Sequence, residues 1–243
     1  TFAVFLTHRA ADPIRMLVAQ SHANVKIAGS YAGLLIGAVG KTHLDIQDLA
    51  IMRAMPDMTV VAPADASELL AVIKWANDYD GPVYVRLTRD PGPDIFGPDY
   101  EFELGRVQTL RRGSRVALVS TGPQTVRTLA AADLLTARGL DPTVLHLPTI
   151  KPVDDAGLLA ALEGHELVVT TEEHTVLGGL GGLVAEILTA AGPSPAVERI
   201  GIDDNWGESA DNAYLLEKHG LSAERISDRT LLRLGSSVTA GVR

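Results

Sequence analysis

Short apolar runs rich in Val and Ile recur along the chain and alternate with stretches whose apolar residues fall at helical spacing. A two-residue period builds strands and a 3.6-residue period builds amphipathic helices, so the alternation predicts α/β units. In the first half the predicted strands are 25–28, 59–61 and 83–87. Asp12-Pro13 offers an N-cap followed by proline at the first helical position, opening a helix that runs to Gln20. Positions 46–55 carry Ile46, Leu49, Ala50 and Arg53 at helical spacing. Asp65-Ala66-Ser67-Glu68 has the reciprocal spacing of a capping box and leads into a helix through Ala76. The strands are apolar on both faces, which predicts a mostly parallel sheet flanked by helices.

The pattern then breaks. Between Asp90 and Gly113 stand Pro91, Gly92, Pro93, Gly97, Pro98 and Gly105, with one short predicted strand at 102–104. Alternation resumes with predicted strands at 115–120, 143–147, 167–171 and 197–200. The predicted helices between and after them are 125–138, 154–162, 180–191 and 212–219, with Gly139 placed to end the first. The expected fold class is α/β, in two domains of 1–100 and 114–243 joined by a linker at 101–113.

Composition narrows the function classes. At 243 residues the chain is long enough to bury a full core without staples. It has no Cys, hence no disulfide framework, thiolate metal site or cysteine nucleophile, which fits a cytoplasmic location. With 21 Lys and Arg against 30 Asp and Glu it lacks the dense basic footprint of a nucleic-acid binder. No apolar run approaches the roughly 20 residues of a membrane span. The first residue is Thr1 rather than Met, so the expectation is that a longer natural polypeptide extends upstream.

Four stretches could carry chemistry. Gly37-Ala38-Val39-Gly40-Lys41-Thr42-His43 sets a histidine on a glycine-bearing loop before a helix, where it could exchange a proton with a reacting oxygen. A surface histidine would look the same. The resemblance of Gly40-Lys41-Thr42 to a phosphate loop fails because position 35 is Leu, not Gly. Phe2 and Phe5 could line an aromatic pocket, although two core aromatics would give the same spacing. Arg89 falls at the end of a predicted strand, where α/β folds place ligand contacts and a guanidinium suits phosphate; a solvated Arg fits equally. Glu172-Glu173-His174 precedes Gly178-Gly179-Leu180-Gly181-Gly182 and reads as a structural turn, since the paired carboxylates would repel an anion and no metal spacing is present.

Taken in order, these pieces resemble a known family. Thr1-Phe2-Ala3-Val4-Phe5, then Gly40-x-Thr42-His43, then Gln47-Asp48-Leu49-Ala50-x-x-Arg53-x-x-Pro56, then Val61-x-Pro63-Ala64-Asp65 resemble transketolases. The part from Ala117 to Gly182 is similar to the C-terminal domain of the same family. The resemblance implies the C-terminal section of a split transketolase, holding the pyrimidine-binding and C-terminal domains. It implies thiamine diphosphate and Mg²⁺ as cofactors and transfer of a two-carbon ketol unit from a ketose or ketose phosphate to an aldehyde. No Gly-Asp-Gly metal motif occurs, so no metal ligands are expected on this chain. A partner carrying the diphosphate-binding domain is implied, in an α₂β₂ heterotetramer.

By match to the family, Phe2 and Phe5 pack on the aminopyrimidine, with His8 near a further cofactor contact. His43 faces the reacting carbon, Tyr31 stands where relatives carry a substrate-binding His, and Arg89 matches a phosphate-binding Arg. The family's Glu that bonds the pyrimidine nitrogen is expected upstream of Phe2. Ala38-Val39 stand in place of an acidic pair and Leu44 in place of Gln, which removes hydrogen-bonding groups that contact substrate hydroxyls. That change implies a different donor or acceptor, an acyl-carrier or lipoyl acceptor among them. The alternatives are the β subunit of a 2-oxo acid dehydrogenase and a non-catalytic subunit that kept the fold.

Overall fold

The computed structural model describes residues 1–90 and 92–240, with side chains through Gly235. Pro91 of the predicted break and residues 241–243 at the end of the second predicted domain lie outside the described residues.

Two sheets form. The first holds β1 (Lys26–Gly29), β2 (Thr59–Val61), β3 (Val83–Arg86) and β7 (Thr149–Lys151) in the order β1-β3-β2-β7. The second holds β4 (Gln108–Arg111), β5 (Val116–Ser120), β6 (Thr143–His146), β8 (Leu167–Thr175) and β9 (Ala196–Ile202) in the order β4-β6-β5-β8-β9. Pairing is parallel except for β2 with β7 and β4 with β6, as the two-faced apolar runs predict. Every residue of β5 and β8 is buried.

Helices cover both sheets: α2 (Asp48–Ala54), α3 (Ala66–Asp78), α4 (Gln124–Ala137), α5 (Asp155–Leu162), α6 (Leu180–Ala191), α7 (Asn212–Lys218) and α8 (Ala223–Ala240). The predicted helix at 12–20 forms as a single α turn, α1 (Ala11–Pro13), followed by a wide π-helical segment, Ile14–Ala19. Gly139 (φ +81°) ends α4 in a Schellman arrangement. Its N–H donates to Thr136 O, and Leu140 N–H reaches back to Leu135 O, 3.0 Å in each case.

Three elements depart from the sequence pattern. The strand expected at 102–104 does not form, because Phe102 leaves the ladder to pack on the Trp75 ring with centroids 5.0 Å apart. The strand comes later, as β4. The sequence pattern does not predict β7: three residues between Pro148 and Pro152 are too short for a periodic signal, and only the first sheet's open edge makes them a strand. Nor does it predict α8, whose stripe Ser, Thr and charges dilute, although Ile226, Thr230 and Leu234 recur every four residues and are all buried.

Asp65 caps α3, accepting from Glu68 N at 2.8 Å, while Glu68 accepts from Ala64 N at 2.7 Å. The other Asp65 oxygen accepts from Ile95 N and Phe96 N at 2.6 and 2.7 Å, so one buried carboxylate holds both the helix start and the break that follows β3. Asp65→Ala therefore costs at least the roughly 0.5–2 kcal/mol of a helix cap. In hydrogen exchange, residues 95 and 96 lose protection together with the first turn of α3; protection retained at 95 and 96 would disprove the link.

Candidate active site

Three segments of the first 45 residues meet at the C-terminal edge of β1. The first is Phe2 with the π-helical turn Phe5–Arg9. Ala10 N donates to Phe5 O at 3.0 Å, an i→i+5 bond of the kind that often marks functional sites. The second is the turn after β1. There Tyr31 sits at φ +62°, a left-handed conformation that an aromatic residue adopts only when its surroundings impose it. Those surroundings are visible: Ala32 N donates to Leu87 O at 3.0 Å and Gly33 N to Asp45 O at 2.8 Å. The third segment is the loop 37–45, turned by Gly40 at φ +70°.

Four rings gather where these segments meet. Phe2 stacks on Tyr31 with centroids 4.5 Å apart and lies 5.7 Å from Phe5. His43 presents its edge to both phenylalanines, at 5.3 and 5.4 Å. Its Nδ1 lies 2.8 Å from Thr42 Oγ1. The four predicted residues Phe2, Phe5, Tyr31 and His43 are thus brought into one half-buried cluster. Such a cluster offers a planar heteroaromatic ligand faces and edges to stack on, so these residues fit the pyrimidine ring of the implied cofactor. Among the described residues no group of three or more His, Cys, Asp or Glu side chains could hold a metal ion.

His8 lies beside this cluster, against a residue the sequence pattern does not single out. Its Nε2 is 3.7 Å from Asp45 Oδ1, with the His8 side chain 40% exposed and Asp45 fully buried. Asp45 Oδ2 accepts from Thr7 Oγ1 at 2.5 Å, and Oδ1 accepts from Gln47 N at 3.1 Å. The Asp45 carboxylate raises the His8 pKa, partial burial opposes it, and the Asp45 and Asp48 charges add to the rise. Burial by itself would raise the Asp45 carboxyl; the nearby His8 imidazole and the hydrogen bonds from Thr7 and Gln47 outweigh that and hold it below the usual carboxylate range.

Behind the cluster runs a buried charge network. Arg86 Nε donates to Asp48 Oδ2 at 2.8 Å, Tyr84 OH donates to the same oxygen at 2.9 Å, and Arg86 Nη2 donates to Glu173 O at 2.8 Å. Burial alone would lower the Arg86 pKa, but the adjacent Asp48 carboxylate and then Glu173 raise it. Glu173 Oε1 accepts from Leu34 N and Leu35 N at 2.6 and 3.1 Å, and Arg127 donates to its other oxygen at 2.6 Å. Gly33 is required here: at φ +82° a Cβ would meet Glu173 Oε1 at 2.3 Å. Glu172 accepts from Leu180 N and Gly181 N, at 2.7 and 2.8 Å, and so occupies the N-terminus of α6. Burial pushes its carboxyl up. The Glu-Glu-His run, expected as a turn, instead extends β8, where bonds from Leu34, Leu35, Leu180 and Gly181 let its carboxylates tie the Tyr31 turn and α6 to the second sheet.

The remaining predicted positions are scattered. Leu44 is buried against Gly207, where an added Cβ would stand 3.3 Å from Leu44 Cδ1; it is core, not a pocket wall. Ala38 and Val39 are exposed. Arg89 is half-buried beyond β3 on the wall of a cavity of about 290 Å³ shared with Asp65, Thr88 and Asp90. Among the described residues it makes no hydrogen bond or ion pair. Asp45 and Arg86 lie outside the quoted motifs, and Asp48, although inside one, is given no role by it. The available signal is two Asp residues, at 45 and 48, interleaved with the apolar Leu44, Ile46 and Leu49, which demands buried partners.

The two-domain α/β architecture and this ring-lined junction define a class that comparison with known proteins identifies. Residues 1–93 match the family model "Transketolase, pyrimidine binding domain" and residues 105–226 match "Transketolase, C-terminal domain". The chain belongs to the transketolase family. Within it, the chain is 38% identical over 226 residues to the 6-deoxy-6-sulfo-D-fructose transketolase subunit SqwH of Clostridium sp. (strain MSTE9), covering 93% of this chain and 70% of that protein. It is 34% identical over 230 residues to an apulose-4-phosphate transketolase subunit of Actinobacillus succinogenes, covering 94% and 74%. A solved structure described as a split gene transketolase, inactive β4 tetramer, superposes with a TM-score of 0.87 at 42% identity, covering 93% of this chain and 72% of that one. No helix among the described residues is long and apolar enough to cross a membrane.

Proposed function

We propose that this chain forms the pyrimidine-binding and C-terminal half of a thiamine-diphosphate-dependent, transketolase-like transferase. The enzyme moves a two-carbon ketol unit from a ketose or ketose phosphate to an aldehyde or carrier-bound acceptor. The observation that carries the reading is the ring cluster of Phe2, Phe5, Tyr31 and His43, every member of which lies inside the pyrimidine-binding match. A partner chain supplies the diphosphate-binding domain and the Mg²⁺ ligands, most simply in a cytoplasmic α₂β₂ heterotetramer. Two relatives named as transketolase subunits, and a similar β4 tetramer described as inactive, support dependence on a partner.

When bound, thiamine diphosphate supplies the carbanion-stabilising chemistry of such transfers. In this reading Phe2 and Phe5 pack on its pyrimidine and exclude water, with His8 as a polar contact beside them. His43 donates to or accepts from the oxygen that gains charge as the substrate carbonyl reacts. Tyr31 closes the aromatic wall. Arg89, without an ion pair among the described residues, meets the anionic end of the donor; the two relatives are named for a sulfo- and a phosphorylated ketose, and a guanidinium suits either anion.

The full natural chain co-expressed with its partner is assayed on ketose phosphates, sulfo-ketoses and 2-oxo acids, with and without thiamine diphosphate and Mg²⁺. Cofactor-dependent loss of a ketose is the expected result, with none from the chain alone. Consumption of a 2-oxo acid instead would assign the dehydrogenase alternative, and a complex that binds cofactor but turns over no donor would favour a non-catalytic subunit.

A further inference from the structure

Asp45 stands where all three site segments join. Its carboxylate takes the Thr7 hydroxyl and faces His8, on the segment that carries Phe2 and Phe5. Its backbone carbonyl takes Gly33 N–H, two residues after the strained Tyr31, and its own position is two residues after His43. Asp45 thus reaches the first segment with its side chain and the second with its backbone, while belonging to the third. The carboxylate is fully buried, yet among the described residues its charge is met by no Arg or Lys; the titratable cation at ion-pair distance is His8. A buried carboxylate needs such compensation, so Asp45 favours the imidazolium form of His8. The pair leaves His8 Nδ1 without a partner among the described residues, on a ring that is 40% exposed.

We propose that Asp45 is a positioning residue: it locks the three ligand-facing segments in register and holds His8 as a cation whose Nδ1–H donates to an acceptor atom of the bound cofactor. This rests on the functional reading above only for the identity of the ligand. The charged groups facing His8 are Asp45, at 3.7 Å, and the more distant Asp48, itself engaged by Arg86 and Tyr84. Asp45 is ionised above its lowered pKa and His8 is protonated below its raised one, so the ion pair exists between those two values. It is lost at the acid end by protonation of Asp45 and at the alkaline end by deprotonation of His8.

The test uses Asp45→Asn and His8→Gln in the full chain. Asn keeps an acceptor for Thr7 but carries no charge. The His8 Cε1–H resonance, assigned by its absence in His8→Gln, is titrated by NMR in the chain without ligands. In the parent chain it titrates above 6.5; in Asp45→Asn the midpoint falls toward or below that value. An unchanged midpoint overturns the proposal. In the assembled complex both variants raise the half-saturating thiamine diphosphate concentration about 10- to 100-fold, as loss of a charged hydrogen bond does, while kcat changes less. A fall in kcat with unchanged half-saturation would mark a merely structural role and also overturns it. If Asp45→Asn does not fold, His8→Gln carries the binding arm alone, because it leaves the Thr7–Asp45 bond in place. A parent complex with no ketol transfer would instead refute the functional reading; the NMR arm stands apart from that outcome.

Discussion

His43→Ala lowers ketol transfer by the assembled enzyme about 10²- to 10⁴-fold, the range for removing a positioned acid–base group, while assembly and melting temperature stay near those of the parent. The separation of the two effects follows from the packing. His43 lies on a loop, is half-buried and touches Phe2 and Phe5 only by its ring edge. Its polar contact is the neighbouring Thr42 hydroxyl, so truncation strands no buried donor or acceptor. The measurement is steady-state kinetics with the donor found active in the panel, alongside calorimetry of the complex. His43→Gln, which keeps hydrogen bonding but cannot shuttle a proton near neutral pH, separates the two possible tasks: activity close to the parent assigns His43 to orientation alone. Unchanged turnover in His43→Ala removes the residue from the mechanism.

Asp48→Ala destabilises the chain by about 3–5 kcal/mol, the cost of leaving a buried charge without its partner. For a chain of this size that lowers the melting temperature by roughly 6–20 °C. Arg86 is almost fully buried, and its Nε and the Tyr84 hydroxyl both depend on Asp48 Oδ2. The second oxygen, Oδ1, is buried with no hydrogen-bond partner, so the carboxylate is retained despite an incomplete shell. Replacing both partners with apolar residues, as in Asp48→Leu with Arg86→Met, recovers part of the loss because no charge is then stranded. Because Arg86 also holds the Glu173 carbonyl, and the Glu173 side chain holds Leu34 and Leu35, the single variant loosens the Tyr31 turn as well. Calorimetry of the single and double variants decides the matter: a double variant as unstable as Asp48→Ala would show that volume, not charge, sets the cost.

Much of the fold is legible because it is written in local periodicity. The buried runs of β5 and β8, the capping box of α3 and the glycine after α4 each report their element within a few residues. The aromatic and histidine positions of the ring cluster are legible as motifs. β7 and α8 are not, since a three-residue strand exists only by virtue of the edge it completes, and a helix diluted by Ser, Thr and charge shows its stripe only against α4 and β9.

Spacing along one chain suffices to set the α/β class and the parallel sheets, because each depends on neighbours in sequence, whereas the aromatic positions are singled out only by their resemblance to family motifs. Only the folded chain reveals that Asp45 joins three segments, that Asp48 and Arg86 neutralise each other, and that Leu44 is core while Arg89 lines a cavity beyond β3. A buried charge and a strained backbone turn are sustained by partners tens to more than a hundred residues away, as Leu34 is by Glu173, and no local pattern records such a partner.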